Sequence, residues 1–290
     1  MRVLTVLDHY IRQLQADGRS LHTVRQTQRH VGLLDRWLAA EKRTRDVRRV
    51  THLDVAAFLT SKAATCRPDG VTKRATSANA LRSSVRTFFT YANAAGYAPR
   101  NAAALVRRAK CASPPPRALP EPDCRRLIAT LAASDDEHAE RDHVLFRLLL
   151  TTGLRIGTAL ALETRDVDQE AGDLTLRRAK GDRPDRVTVP RSLRRLLRAY
   201  VARCGDGPLF TGHGGLPMTA RHAHRRLGRW LGEAGIERRV GPHALRHSFA
   251  MRVYRETGDL LAVRDGLRHR SIASTCIYAH RDRAHPLNGT

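Results

Sequence analysis

The sequence lacks the features that mark membrane and secreted proteins. Among its 290 residues no stretch approaches the ~20 consecutive apolar residues that a membrane-spanning helix needs. The N-terminus reaches Asp8 too early to hold the apolar core of a secretory signal. Hydrophobic residues make up 41% of the chain, which is too many for a disordered protein. We therefore expect a soluble, cytoplasmic protein with no membrane contact.

Cysteine and lysine are also scarce. The five cysteines are scattered and form no Cys-x-x-Cys pair, which argues against a disulfide framework and against a thiolate zinc site. Only five of the 52 basic residues are lysines, and Lys180 is the only lysine after position 111. A lysine kept in such an arginine-rich background is a candidate for a role that needs a lysine.

Acidic residues are the third shortage, with 28 Asp and Glu against 52 Lys and Arg and a net charge of +24. Charge of this size repels itself and is tolerated mainly where a polyanion offsets it. Nucleic acid is the usual polyanion, because each basic side chain near a phosphate releases condensed counterions. Residues 1–110 and 111–290 both carry excess positive charge, so the charge is not confined to a detachable tail.

The first hundred residues show apolar side chains at helical spacing and predict a domain of helices only. The longest predicted helix runs from about Thr76 to Ala95, with an apolar face and an opposite polar, basic face. Such a polar face either lies against DNA or is simply solvated, and the pattern alone favours neither. The candidate DNA-contact residues on this helix and just before it are Lys73, Arg74, Asn79, Arg82 and Arg86.

A proline-dense stretch without periodicity follows and predicts an extended linker. It divides the chain into an N-terminal helical domain (1–108), a linker (109–121) and a C-terminal domain (122–290).

The C-terminal domain is also predicted to be mainly helical, with one predicted helix at Gly157–Glu163. Two β-rich runs, Leu174–Arg178 and Arg186–Val189, predict a hairpin that carries Lys180 at its turn. The expected fold class is therefore mainly α with a small antiparallel β-hairpin.

Several residues of this domain are of the types that move protons or bind anions. Arg155 follows an apolar helix that stops at Gly153, and a capping or ion-pairing role is the competing interpretation. His243 and Arg246 share a face near the N-terminus of a helix, where anions are favoured. With Lys180, His269 and Tyr278 they form a set of cations, imidazoles and a phenol. That set suits phosphoryl transfer without a metal, because positive side chains replace Mg²⁺.

Zinc is the alternative for the histidines. His243 and His247 stand at positions i and i+4, as in zinc proteases. The general-base glutamate of that motif is missing, since the two positions that follow His243 are Ala244 and Leu245. We therefore expect neither a metal nor another cofactor.

The C-terminal half resembles the tyrosine site-specific recombinases, that is, the phage integrases and the Xer group. Thr152-Gly-Leu-Arg-Ile156 is similar to the first arginine motif of that family, and Lys180 falls where its hairpin lysine stands. His243-Ala-Leu-Arg246 matches the second arginine box, and Leu267-Arg-His269 is similar to its Leu-Gly-His motif. Tyr278 follows nine positions after that histidine, as the nucleophile does in the family.

The resemblance implies an architecture and partners. The N-terminal segment is similar to the core-binding, SAM-like domain of the family, and the two domains would form a C-shaped clamp on duplex DNA. The implied assembly is a homotetramer on two double-stranded recombination sites, with or without a paralogous recombinase, in the nucleoid. The length leaves no room for the arm-binding domain of some phage integrases, which points to a two-domain, Xer-like form.

The resemblance also implies a role for each residue. Tyr278 would attack a DNA phosphate to give a 3′-phosphotyrosyl link, with Arg155 and Arg246 on the non-bridging oxygens. Lys180 would protonate the leaving 5′-oxygen, His243 would accept the tyrosine proton and His269 would donate a hydrogen bond to the phosphate. Because the ester conserves the bond energy, neither metal nor ATP is needed. The implied biological task is integration, excision or resolution of DNA elements.

Two other functions are alternatives to a recombinase, and the sequence departs from the usual family pattern at Thr158 and Arg268. A type IB topoisomerase shares the chemistry, and a non-catalytic DNA-binding regulator shares the fold. Thr158 stands where the family usually has an acidic residue, and Arg268 replaces the usual glycine before His269. These departures affect the surroundings of Arg155 and of the tyrosine.

Overall fold

The computed structural model describes residues 1–111, 117–168, 170–177, 185–268, 275–276 and 278. Contacts within the chain define two compact units, unit 1 (Met1–Ala112) and unit 2 (Ser113–Thr290). Both are helical, and the described strands form one two-stranded antiparallel sheet in unit 2. The expected class, mainly α with a small hairpin, is confirmed. None of the described helices is long and apolar enough to cross a bilayer.

Unit 1 consists of helices that each bury an apolar face. They are α1 (Val3–Ala16), α2 (Leu21–Glu41), α3 (His52–Thr60), α4 (Lys62–Thr65) and α5 (Ala75–Ala94). Helix α3 begins at a capping box, in which the side chain of Thr51 accepts from the Asp54 N–H and Asp54 accepts from the Thr51 N–H. Helices α1, α2 and α5 pack together around fully buried Phe88 and Phe89.

Asn79 corrects one expectation about α5. The sequence placed it on the polar face with Arg82 and Arg86, but its residue is only 2% exposed. Its amide donates to the carbonyl of Ala109 at 2.9 Å and accepts the Ala109 N–H at 2.8 Å. A polar side chain that is buried needs such partners. Asn79 therefore holds the end of unit 1 against α5 and does not belong to the exposed basic face.

Unit 2 contains the remaining helices and the hairpin. The helices are α6 (Glu121–Ala132), α7 (Ala139–Thr152), α8 (Ile156–Ala159), α9 (Arg191–Val201), α10 (Ala220–Glu233), α11 (Pro242–Thr257) and α12 (Leu260–Gly266). The strands are β1 (Asp173–Leu176) and β2 (Asp185–Thr188), with Leu174 opposite Val187 in the antiparallel register. The predicted hairpin turn, including Lys180, lies outside the described residues.

The predicted helix at Gly157–Glu163 is wrong in its extent, because α8 ends at Ala159. The chain then pairs with the segment around Pro208 instead of continuing the helix. The Leu209 N–H donates to the Leu162 carbonyl at 2.8 Å, and Glu163 forms an isolated antiparallel bridge with Pro208. These long-range backbone hydrogen bonds replace the ones that further helical turns would make.

Helix α7 is the central element of unit 2 and packs against α6, α9 and α11. Its fully buried Asp142 accepts hydrogen bonds from Arg141 at 2.8 Å, from the Trp230 indole at 2.8 Å and from Arg226. A buried carboxylate is tolerated only when paired in this way. Ser248 on α11 joins the backbone of Leu119, donating to its carbonyl at 3.0 Å and accepting its N–H at 2.8 Å. These contacts fix α7 and α11, which carry the candidate site.

Candidate functional site

The first arginine of the site stands in the turn after α7. That helix ends at Gly153, whose φ of +63° lies in the left-handed region that glycine adopts most easily. A Cβ on Gly153 would also overlap the ring of Phe249 on α11, so the turn needs glycine for two reasons. Two residues later, Arg155 is the exposed N-terminal cap of α8. The tight turn therefore presents this guanidinium to solvent.

The second arginine, Arg246, is buried in α11 with only 3% of its surface exposed. Its guanidinium donates to the carbonyl of Gly153 and, at 2.7 Å, to the carbonyl of Leu267. Burial, together with the charges of Arg155 and Arg268, lowers the pKa of Arg246 to about 10, while Tyr278 acts in the opposite direction. The side chain thus stays cationic at neutral pH in a fixed position between the turn after α7 and the end of α12.

His243 lies in the first turn of α11, directly after Pro242 begins the helix. Its side chain is exposed on one side. Loss of water around the ring, and then the charges of Arg246 and Arg155, lower the pKa of His243 below its ordinary value. The lowered pKa favours the neutral imidazole, which can exchange a proton or donate a hydrogen bond.

Tyr278 is 1% exposed and packs with Phe249, Ala250, Val263 and Leu267. Its hydroxyl oxygen lies 2.7 Å from Nδ1 of His247. Burial raises the pKa of Tyr278 to about 12, although the charge of Arg246 acts to lower it. The phenol is therefore protonated at neutral pH and covered, with one imidazole at its hydroxyl and the charge of one guanidinium acting on it.

Four of the six candidate catalytic residues, Arg155, His243, Arg246 and Tyr278, interact within one region of unit 2. The other two, Lys180 and His269, lie outside the described residues. From its position in the sequence, His247 was a candidate zinc ligand only, and nothing in the sequence connected it with Tyr278. Only its position on α11, four residues after His243 and one after Arg246, hinted at a role.

Arg268 is the second residue whose role the sequence left open. Its φ of +52° is left-handed, a conformation in which a glycine would be unstrained. Its guanidinium reaches Asp185 at the start of β2, with Nε 2.7 Å from the carboxylate, and its charge acts on Arg246. Arg268 therefore joins the end of α12 to the hairpin.

A cavity of about 890 Å³ opens beside the two histidines of α11. Its walls include Arg117, Arg238 and Arg239, and His224 from α10 faces the same space. His243 and His247 both line it. Small polar molecules can therefore reach the imidazoles from solvent.

The donor set does not resemble a metal centre. Among the described parts of the chain, no group of three or more His, Cys, Asp or Glu side chains is arranged to hold a metal ion. His243 and His247 lie close together, with ring centroids 4.4 Å apart, but the charged groups that act on His243 are Arg246 and Arg155. The positive charges that surround the site suit an anion instead.

Unit 1 has a second candidate surface, a groove of about 940 Å³ that we call the basic groove. The basic side chains that line it are Arg29, Arg36, Lys62, Arg67, Lys73 and Arg74. Lys73 is partly committed inside the unit, since its ammonium donates to the carbonyls of Ala63 at 3.1 Å and Ala64 at 2.9 Å. Arg74 is exposed, and so are Arg29 and Arg36 on α2. Arg86, on α5, is exposed outside this groove.

The chain matches known sequence profiles over both units. The profile of the phage integrase family covers residues 117–285, and that of the phage integrase N-terminal SAM-like domain covers residues 7–96. The tyrosine recombinase XerC of Bradyrhizobium diazoefficiens is 31% identical over 239 residues, covering 79% of this chain and 73% of that protein. The XerC of Chromobacterium violaceum is 31% identical over 280 residues, covering 95% and 90%.

Solved structures show the same fold. The XerH site-specific recombinase bound to a palindromic difH substrate, a post-cleavage complex, has a TM-score of 0.72 at 20% identity, covering 96% of this chain and 81% of that one. A lambda integrase (75–356) dimer bound to a COC′ core site has a TM-score of 0.71 at 19% identity, covering 94% and 97%. A lambda integrase tetramer bound to a Holliday junction also has a TM-score of 0.71, at 19% identity, covering 93% and 78%.

The profile match over more than half of the chain and the identity to XerC proteins confirm the resemblance seen in the motifs. The region matched by the phage integrase profile includes the candidate site residues Arg155, His243, Arg246, His247 and Tyr278. This chain belongs to the phage integrase family of tyrosine recombinases, the enzymes that cleave and rejoin DNA in site-specific recombination.

Proposed function

We propose that this recombinase cuts DNA with the Tyr278 hydroxyl as nucleophile. The attack forms a 3′-phosphotyrosyl ester and frees a 5′-hydroxyl, which then attacks the phosphotyrosine of a partner strand. The observation that carries the proposal is the buried guanidinium of Arg246, fixed by the carbonyls of Gly153 and Leu267 with its charge acting on the phenol. A cation held in place before the reaction stabilises charge that develops at phosphorus without further reorganisation.

Arg155 and Arg246 hold the two non-bridging oxygens of the scissile phosphate in this mechanism. The planar guanidinium suits such contacts better than an ammonium does. Arg246 supplies a rigid, desolvated cation, and Arg155 supplies an exposed one at the edge of the site. Approach of the phosphate also offsets the mutual repulsion of these two charges, which contributes to the lowered pKa of Arg246.

Lys180 and His269 complete the proposal on the strength of the family motif. Lys180 protonates the leaving 5′-oxygen and His269 donates a hydrogen bond to the phosphate. The proton of Tyr278 passes to one of two neighbouring imidazoles, His243 or His247. The ester conserves the bond energy, so strand exchange proceeds without ATP or a metal ion.

The N-terminal domain, residues 1–108, binds the same duplex as the catalytic domain, residues 122–290. The basic groove of unit 1 supports this proposal, because exposed arginines from α2 and from the residue before α5 line one surface. Arg74 and Lys73 belong to that groove, whereas Arg82 and Arg86 extend the basic surface along α5. Phosphate contacts of this kind position the protein on DNA.

The working assembly is a homotetramer on two duplex sites in the nucleoid, or a tetramer shared with a paralogous recombinase. Exchange between two duplexes needs four cleaved strands and therefore four tyrosines. The fold shared with a lambda integrase tetramer on a Holliday junction supports this arrangement.

Trapping of the covalent intermediate tests the proposed function. The purified chain is incubated with a pool of nicked suicide duplexes whose sequences are randomised, in EDTA and without ATP, and SDS-resistant adducts are isolated and sequenced. The wild-type protein is expected to give adducts at a defined sequence, with the nucleotide on the Tyr278 peptide in mass spectra.

The controls are two tyrosine variants of the same unit. Tyr278→Phe should abolish the adduct and leave DNA binding within about threefold, because it removes only the reacting oxygen. Tyr254→Phe, on α11 but outside the proposed chemistry, should retain the adduct. An adduct that survives in Tyr278→Phe, or a wild-type protein that forms none on the trapping pool, contradicts the proposed function.

A further inference from the structure

The hydroxyl of Tyr278 has a specific partner, the imidazole of His247. It lies 2.7 Å from Nδ1 of His247, with the two rings 5.6 Å apart and inclined by 58°. This distance is typical of a short hydrogen bond between a hydroxyl group and a ring nitrogen. When the proton of the imidazole is on Nε2, Nδ1 accepts and the phenol donates. The contact places a proton donor within hydrogen-bond distance of a base.

His247 is placed by the same helix that places the phosphate-binding groups. It follows Arg246 directly, and Arg246 is fixed by two backbone carbonyls. Two hydrogen bonds between Ser248 and the backbone of Leu119 anchor α11, the helix that carries both the imidazole and the guanidinium. A base held within reach of the nucleophile and rigidly tied to the anion site meets the geometric requirement for general-base catalysis.

The second imidazole of α11 occupies a different position. The centroid of His243 lies 4.4 Å from that of His247, edge to face, and the hydroxyl hydrogen bond that the structure describes goes to His247. His243 is the more exposed of the two and sits in the first turn of α11, near Arg155 and Arg246. Its position suits a hydrogen bond to the phosphate better than contact with the phenol.

We infer that His247, and not His243, accepts the proton of Tyr278 when the tyrosine attacks DNA. This inference rests on the proposed function. In the step, the O–H bond of Tyr278 breaks and an N–H bond forms at Nδ1 of His247. The phenolate electron pair forms the bond to phosphorus, the bond from phosphorus to the 5′-oxygen breaks, and that oxygen takes a proton from Lys180. In rejoining, the imidazolium returns its proton to the phenolate that leaves.

Single-turnover cleavage of a trapping duplex measures the role. His247→Ala is expected to slow cleavage by about 10²-fold or more, the usual contribution of a general base. His247→Asn, which retains a hydrogen-bonding group near the position of Nδ1 but cannot take a proton, should be comparably slow. His224→Ala is the matched control, since this histidine lines the same cavity from α10 but has no part in the proposed chemistry. It should cleave within about threefold of the wild-type rate.

Chemical rescue separates a proton acceptor from a structural residue. The cavity of about 890 Å³ that reaches His247 gives free imidazole access to the space vacated in His247→Ala. Added imidazole should restore cleavage by that variant about tenfold or more, with more basic imidazoles restoring it further. It should not accelerate the wild-type protein or Arg246→Ala, whose missing cation imidazole does not replace.

The outcomes are distinguishable from a failure of the proposed function. If the wild-type chain forms no adduct, the proposed function fails. If the wild-type chain forms the adduct and either His247→Ala or His247→Asn cleaves within threefold of its rate, the assignment of the proton to His247 is wrong. A slow His247→Ala that imidazole does not restore also overturns it, and leaves His247 a structural role.

Discussion

At the scale of single residues, the turn between α7 and α8 is tightly constrained. Gly153 combines a left-handed φ of +63° with close approach to the ring of Phe249, and its carbonyl accepts a hydrogen bond from Arg246. Any side chain at this position strains the backbone and displaces the aromatic ring. Because the carbonyl of Gly153 orients the Arg246 guanidinium, strain at Gly153 reaches the proposed catalytic site directly.

Gly153→Ala is therefore expected to lose both stability and activity. Gly258→Ala is the matched control, because Gly258 has a φ of +66° but a Cβ there meets no atom within 4 Å. The control should lose about 1 kcal/mol of unfolding free energy from the backbone conformation alone. Gly153→Ala should lose about 1–3 kcal/mol more, from overpacking against Phe249, and cleavage on the order of 10²-fold. Urea unfolding and single-turnover cleavage measure the two effects, and equal losses in both variants would show that Phe249 relaxes freely.

The backbone at Arg268 is strained for the converse reason. Here a residue other than glycine occupies a position where the family usually has glycine. Its φ of +52° costs an L-residue about 1–2 kcal/mol relative to an ordinary conformation. The side chain recovers part of that cost through its ion pair with Asp185. This pair is partly exposed, so its contribution is about 0–1 kcal/mol.

A comparison of two variants isolates the backbone strain at Arg268. Both Arg268→Gly and Arg268→Ala lose the ion pair, but only glycine relieves the left-handed conformation. Allowing for the greater freedom of glycine in the unfolded chain, we expect Arg268→Gly to be more stable than Arg268→Ala by about 1 kcal/mol. Urea denaturation midpoints of the two variants give this difference. An alanine variant as stable as the glycine variant contradicts the strain argument.

The residues of the site differ in how far sequence could predict them. Arg155, His243, Arg246 and Tyr278 could be proposed from the sequence because each stands in a motif of residue type and spacing. The partnership of Tyr278 with His247 was not, since it joins residues 31 positions apart through the packing of one helix against a later segment. The two hydrogen bonds that fix Arg246 likewise use backbone carbonyls, which leave no mark in the sequence.

At the scale of elements, α5 shows both the strength and the limit of periodicity. The apolar spacing predicted the helix within a residue of its observed bounds, Ala75–Ala94. It also assigned Asn79 to the exposed side, because a polar residue opposite an apolar stripe is usually solvated. The segment at Ala109 packs over that side of α5. The apolar periodicity of a single helix cannot predict that a distant segment covers its polar side.

The basic groove predicts which surface of unit 1 contacts DNA. Arg36→Ala and Arg74→Ala should each weaken binding to a trapping duplex and reduce the slope of log affinity against log salt by about one, as the loss of one phosphate contact does. Arg12→Ala, at an exposed position of α1 outside the groove, should change neither. Fluorescence anisotropy titrations at several KCl concentrations measure both quantities. If Arg86→Ala changes the slope and the groove variants do not, the α5 face and not the groove contacts DNA.

At the scale of the whole molecule, the net charge of +24 links stability to partner binding. The ion pairs of the structure are mostly at the surface, such as Arg126 with Asp123 and Arg229 with Glu233, and each contributes little. The excess positive charge acts on the folded state as self-repulsion, which a DNA duplex or dissolved salt offsets. Composition alone predicts the sign of this effect, because an excess of like charges repels on average.

Salt should therefore act in opposite directions on the free protein and on its DNA complex. Between about 50 and 200 mM KCl, screening of self-repulsion should raise the melting temperature of the free protein. Over the same range, affinity for a duplex should fall by about 10³-fold or more if six to ten phosphates are contacted. Differential scanning calorimetry and anisotropy titrations in the same buffers give the two slopes. A melting temperature that falls as KCl rises would mean that the ion pairs of the free protein outweigh its net repulsion. The excess positive charge would then not destabilise the fold.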